Sequence, residues 1–286
     1  MEKLLNKITF GDCILGMKSI EDNSIDIVIT DPPYFNAIQE DWDNQWDNIQ
    51  EYQEWCKLWI EECKRLLKPT GTMFIYGYEP QLAYISTLLE MDKQRWLVWY
   101  YTNKTVPSLN FWQHSHESII CYSNENRIFN KDLIREPYTD SYVKNCKGKV
   151  RPKSSTARFG NKETTYNVNE LGALPRDVIQ ISTLAGGAAL KERIIYCEDC
   201  KKIIEPKDRK SHNNHNLIIH PTQKPMELTE KLINSCKPEG KFNVLIPFAG
   251  SGSECKVVKD MKGNFIAFET NGKYWSLATE MLDGNQ

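Results

Sequence analysis

Two blocks of this 286-residue chain alternate short apolar, β-rich runs with segments of helical spacing, and between them the alternation stops. The first block predicts strands over 8–10, 25–30, 72–76, 96–101 and 118–122, with helices over 13–20, 48–67 and 81–91. The second predicts helices over 225–236, 253–261 and 273–282, with strands over 243–246 and 265–269. Parallel strands need a crossover that a helix can supply, so this succession commits the chain to an α/β fold with a mostly parallel sheet. The stretch between is polar, basic and turn-rich, with periodicity only over 177–181 and 193–196. At roughly 90 residues it exceeds any ordinary connecting loop, so it reads as an insertion. The expected organisation is therefore 1–125, an inserted 126–216, and 217–286.

Composition narrows the function classes. With 40% hydrophobic and 26% charged residues, the chain can build one sizeable core and a smaller lobe. No apolar run approaches the ~18 residues of a membrane span, and the first residues carry no signal-like apolar region, so the expectation is a cytoplasmic protein. Most of the nine cysteines are scattered singly, as in a reduced protein. The net charge of −2 excludes a globally basic nucleic-acid binder, and the charge is uneven. Lys144, Lys147, Lys149, Arg151, Lys153, Arg158 and Lys162 follow one another without an acidic residue. An acidic run, from Glu40 to Glu54, contains Trp42 and Trp46, which read either as a flap over a site or as packing residues.

The run 25–30 ends at Asp31-Pro32-Pro33-Tyr34, the carboxyl end of a strand, where open α/β sheets bind ligands. Two prolines fix the backbone and remove two amide donors, which leaves the Asp31 carboxylate and nearby carbonyls as rigid acceptors. Acceptors suit an exocyclic base amine, whose lone pair is delocalised into its ring. Accepting its hydrogens at Asp31 and the Pro32 carbonyl would aim that lone pair at an electrophile. Tyr34 offers a face on which an extruded base can stack. The same residues also read as a plain turn with a packed tyrosine.

Pro247-Phe248-Ala249-Gly250-Ser251-Gly252-Ser253 lies between a predicted strand and a predicted helix. Glycines there let backbone approach a ligand, and the helix N-terminus favours an anionic group. The match to a dinucleotide fingerprint is incomplete, because Cys255 stands at the third glycine position. Glu269 ends the next strand, where a carboxylate can accept from ribose hydroxyls.

Taken in order, Gly11-Asp12-Cys13, the tetrapeptide 31–34, Leu67-Lys68-Pro69-Thr70-Gly71, His220-Pro221-Thr222-Gln223-Lys224-Pro225, the loop 248–252 and Glu269 resemble the amino-methyltransferases of DNA. The order is the permuted one, with the catalytic tetrapeptide before the cofactor loop, and the resemblance covers 1–125 and 217–286. It implies a Rossmann-like, seven-stranded, mostly parallel sheet with flanking helices, and an irregular target-recognition region that meets phosphate through the basic run. Asp31, Pro32, Pro33 and Tyr34 would be catalytic, with Asp31 also bordering the cofactor. Phe248, Gly250, Ser251 and Gly252 would line S-adenosylmethionine, Glu269 would bind its ribose, and Asp12 would sit near its adenine. His220, Thr222, Gln223 and Lys224 would contact its methionine end.

The activity implied is direct methyl transfer to N6 of a flipped adenine in double-stranded DNA. The nearest alternative is N4 of cytosine; amine methylation of RNA or of a protein amide comes next. A non-catalytic zinc-containing DNA-binding protein on the same fold is the rival from another class. Double-stranded DNA, a cognate restriction endonuclease and a second copy of the chain are the implied partners. Two departures stand out. Ile246 occupies a place that is often acidic in the family, and no Pro-Cys pair exists to support cytosine C5 chemistry.

Inside the insertion, Cys197-Glu198-Asp199-Cys200 precedes His212-Asn213-Asn214-His215. Two thiols and two imidazoles fit a closed tetrahedral structural zinc site, weighed against a reduced cysteine pair with surface histidines. His114 and His116 read either as neighbours of the target base or as histidines satisfied by ordinary partners.

Overall fold

The structure is a computed structural model that describes residues 2–37, 39–103, 108–146, 148–151, 164–165, 168–185 and 187–284. The first block forms β1 (Lys7–Phe10), α1 (Cys13–Met17), β2 (Ile25–Thr30), α2 (Ile49–Leu66), β3 (Leu67–Gly77), α3 (Glu79–Thr87), β4 (Gln94–Tyr100) and β5 (His116–Ser123). The middle adds α4 (Asp140–Cys146), β6 (Val150–Arg151), β7 (Thr164–Thr165), β8 (Val178–Gln180), β9 (Ile195–Cys197), β10 (Lys202–Ile204) and β11 (Leu217–Ile219). The last block forms α5 (Met226–Cys236), β12 (Asn243–Ile246), α6 (Ser253–Asp260), β13 (Asn264–Glu269) and α7 (Gly272–Asp283). Among the described residues no helix is long and apolar enough to cross a membrane.

The main sheet has the order β1-β13-β12-β2-β3-β5-β4-β8. β1, β13, β12, β2 and β3 run parallel, β5 is antiparallel to β3 and to β4, and β8 is parallel to β4. The expected α/β fold with a mostly parallel sheet and flanking helices is thus present. It carries eight described strands, because 178–180, from the poorly periodic middle, adds to the free edge of β4. β2 is buried along its whole length, as befits a strand covered on both faces. Its side chains divide the core: Ile27 and Ile29 pack with α5, α6 and α7, while Val28 and, across the irregularity in pairing between Ile25 and Ile27, Ile25 pack with α1, α2 and α3.

Local sequence explains the helices that hold this sheet. Asn48 caps α2, its side chain accepting the Glu51 amide at 3.0 Å, and Tyr52, Cys56, Trp59, Ile60, Cys63 and Leu66 form the buried stripe. Asn271 caps α7, its side chain accepting the amides of Lys273 and Tyr274.

Residues Asn130–Arg176 form a compact unit of their own, in which Arg135 donates to the Gly172 carbonyl at 2.7 Å and Glu136 bridges Ala173. Residues 177–216 fold with the main unit instead, since β8 completes a sheet edge and the small sheet β10-β9-β11 packs on α7. Of the basic run, Lys147 and 152–163 lie outside the described residues.

Candidate active site

The chain reverses its winding between β12 and β2: β12 leads through α6 to β13 on one side, β2 through α2 to β3 on the other. A crevice opens at such a switch point, outside the carboxyl ends of the strands. The turns after β1, β13, β12 and β2 follow one another along this edge, so Gly11–Asp12, Glu269, the glycine loop and the Asp-Pro-Pro-Tyr corner, distant in sequence, line one cavity.

The acidic corner is over-determined. Tyr52 donates its hydroxyl to the Pro33 carbonyl at 2.8 Å. The buried Asp43 carboxylate accepts the amides of Tyr34 at 2.5 Å and Ala37 at 2.6 Å, which braces a bend with Phe35 and Asn36 at φ 60° and 57°. The Tyr34 hydroxyl donates to Asp31. Lys224, 4% exposed at its side chain, reaches Asp31 and Glu117 at 3.1 Å each and the Tyr34 hydroxyl at 3.0 Å. Burial pushes the Asp31 carboxyl above its usual range, while Lys224 and the Tyr34 hydroxyl pull it back. Burial works against the Lys224 ammonium, but Asp31 and Glu117 outweigh it and hold the group well above its usual value. The result is an ion cluster at one end of the cavity, centred on the buried Lys224 ammonium, its Asp31 oxygens engaged by exchangeable donors. Tyr34 turns its hydroxyl into this cluster, with the Lys224 ammonium 5.5 Å from its ring centre.

The other end is backbone. Gly250 has φ +51°, and a Cβ there would lie 2.9 Å from His220 Nε2; at Gly252, φ +76°, it would lie 2.8 Å from the Ala278 Cβ. Glu269 accepts the Gly250 and Asn271 amides, both at 2.8 Å, which ties the end of β13 to the loop after β12. Burial raises its carboxyl despite these bonds. His220 stacks on Trp42 at 6.0 Å and lies edge-on to Tyr274 at 4.5 Å; burial first, then Lys224 and Arg193, lower its pKa to about 3, so the imidazole is neutral.

Of the residues singled out in sequence, Asp12, Asp31, Pro32, Pro33, Tyr34, His220, Thr222, Gln223, Lys224, Phe248, Gly250, Ser251 and Glu269 line this cavity. Gly252 does not; it serves the close approach of α7. Asp12 also caps α1, accepting the Leu15 amide at 2.9 Å. Gln223 braces the wall, donating to the Glu192 carbonyl and accepting the Ile194 amide. Trp42 lines the cavity, whereas Trp46 packs among Tyr52 and Trp55. His116 approaches Glu79 at 3.3 Å and His114 does so at 3.9 Å; neither borders the cavity. The four metal-ligand candidates do not all converge: Cys197, Cys200 and His215 cluster, but His212 stands outside the group.

The family described as DNA methylase, of the N6/N4 class, matches residues 25–280. The chain belongs to that family. Among its relatives, the type II methyltransferase M.HpaI of Haemophilus parainfluenzae is 30% identical over 97% of this chain and 74% of its own length. M.HinfI of Haemophilus influenzae is 29% identical over 97% and 68%. Solved structures of like fold include the M1.HpyAVI–SAM complex, with TM-score 0.56, 18% identity and coverage of 97% and 98%. The cytosine-N4-specific PvuII DNA methyltransferase has TM-score 0.60, 16% identity and coverage of 98% and 87%.

Two acids in this methylase had no sequence signal. Glu117 joins the ion cluster from β5, 107 residues before Lys224. Glu254, in the first turn of α6, lines the cavity and receives the Ser253 hydroxyl at 2.8 Å; burial raises its pKa to about 7. Ile246, where the family often places an acid, is wholly in the core and does not border the cavity, whereas Glu254 does.

Proposed function

We propose that this methylase transfers a methyl group from S-adenosylmethionine to N6 of adenine in duplex DNA, on a base extruded into the cavity. The observation that carries the reading is the shared cavity: the acidic corner 31–34 at one end, the glycine bend and Glu269 at the other. The cradle fits the cofactor, since the backbone at Gly250 leaves room that any Cβ would fill against His220, and Glu269 keeps a carboxylate at the end of β13 for a ribose. When bound, S-adenosylmethionine supplies an electrophilic methyl group.

Everything else falls to the chain. Asp31 exchanges its bond from Tyr34 for the hydrogens of the target amine and orients the nitrogen lone pair. Its raised pKa favours taking the proton that the nitrogen sheds. Lys224 holds Asp31 in place and is itself held by Glu117. Tyr34, once released, presents its ring to the extruded base. Aspartate rather than serine at position 31 favours adenine over cytosine. The unit 130–176, with its basic run, is read as the part that meets DNA phosphate.

Transfer of labelled methyl to unmethylated duplex DNA, followed by nucleoside analysis, tests the reading. N6-methyladenine is expected from the wild type and a loss of at least about 10³-fold from Asp31→Ala. N4-methylcytosine would overturn the base assignment, and label in RNA or protein, or no label, would overturn the substrate.

A further inference from the structure

The cavity does not use one cluster of chemistry-bearing side chains, at the far end of the small sheet. β9 ends at Cys197, a two-residue turn leads to Cys200, and His215 stands two residues before β11. The Cys197 and Cys200 sulfurs lie 3.2 and 3.3 Å from His215 Nδ1, and the three donor atoms fall within 4.8 Å of one another. A tetrahedral zinc ion with bonds of about 2.3 Å to sulfur and 2.0 Å to nitrogen sets its S and N ligands about 3.5 Å apart. The cluster therefore has the dimensions of three corners of such a site. Lys201, directly after the second cysteine, holds φ +50°, a left-handed backbone rare outside glycine, which turns the chain from Cys200 into β10.

His212 supplies a second, independent observation. Its Nδ1 lies 2.9 Å from the Asp208 carbonyl, which can only accept, so Nδ1 donates there and Nε2 is the nitrogen left for a metal. A carbonyl on the outer nitrogen is the arrangement that orients a metal-bound imidazole. The His212 ring centre is 5.0 Å from that of His215. One face of the sheet packs on α7 through Tyr196 and Ile218, but the other encloses only Ile195, Cys197 and Ile204, with Cys200, Leu217 and Ile219 half-buried beside them.

We propose that Cys197, Cys200 and His215 bind zinc, with His212 Nε2 moving in as fourth ligand, and that the metal staples the β10-β9-β11 sheet. The staple has a consequence for the cavity. β11 runs directly into His220, and Arg193 and Ile194, just before β9, bond the His220 carbonyl at 2.8 Å and the Gln223 side chain at 3.0 Å. Metal binding thus fixes the segment that delivers Lys224. That last step rests on the proposed function; the metal site does not.

Metal analysis of the full chain purified without added zinc is expected to return about one equivalent, falling below about 0.1 in Cys197→Ser/Cys200→Ser. Cobalt added to chelator-stripped protein is expected to give thiolate charge-transfer absorption, lost in that double variant. His212→Ala is expected to keep the absorption and to weaken metal binding at least about tenfold. A metal-free wild type, a Cys197–Cys200 disulfide, or zinc retained by the double variant would overturn the site. Unchanged affinity in His212→Ala would overturn the fourth ligand. Stripping zinc is expected to weaken S-adenosylmethionine binding in calorimetry; a chain that holds zinc yet never binds this cofactor overturns the proposed function and leaves the metal site standing.

Discussion

Lys224 shows how one side chain can set the chemistry of a corner 190 residues away. Replacing it with Met leaves Asp31 and Glu117 facing each other without a cation, at a cost of about 3 kcal/mol in urea unfolding. Adding Glu117→Gln is expected to restore part of that, and strict additivity in the double-mutant cycle would contradict the coupling. Gly250→Ala puts a methyl group against His220 in a left-handed backbone. It is expected to cost about 1–2 kcal/mol in thermal unfolding and to weaken S-adenosylmethionine binding, read by calorimetry. Glu254 makes a pH prediction. Its folded pKa, about 7, lies above the ordinary 4.5, so it adds stability below pH 4.5 that is lost as pH rises toward 7. Relative to Glu254→Gln, the wild type should lose roughly 3 kcal/mol at most across that window. Thermal midpoints of both proteins against pH check this; parallel curves would refute it.

At the scale of elements, most boundaries follow from local rules. The strand 25–30 and the helix at 49–66 were readable because one is a β-branched run, broken only by Asp26 and stopped by prolines, and the other an amphipathic stripe after an asparagine cap. Asn48→Ala is expected to lower stability by about 1 kcal/mol, measured by urea unfolding, through loss of the bond to the Glu51 amide. β10 and β11 escaped the reading because three-residue strands carry so little period to count, and their pairing puts two segments that both follow β9 in sequence on its two edges. β8 showed its apolar character in sequence, but its place beside β4 depends on a sheet edge built 80 residues earlier.

For the whole molecule, the net charge of −2 conceals a basic run that belongs to the smaller unit or lies outside the described residues. If that run meets DNA phosphate, changing Lys144, Lys147 and Lys149 to Gln should reduce the slope of log affinity against log salt by about 3, with methyl transfer to saturating DNA retained. An unchanged slope would place the contacts elsewhere.

The sequence by itself determined the α/β class, the acidic corner and the glycine bend, because prolines, glycines and hydrophobic period act through neighbours along the chain. Only the tertiary structure decided that Glu117 and Lys224 close on Asp31, that Glu254 faces the cavity where Ile246 does not, and that His212 stands apart from Cys197, Cys200 and His215. Those relations are set by strand order and by packing across the sheet, and no local pattern of residues records which distant side chain a fold will bring within 3 or 4 Å.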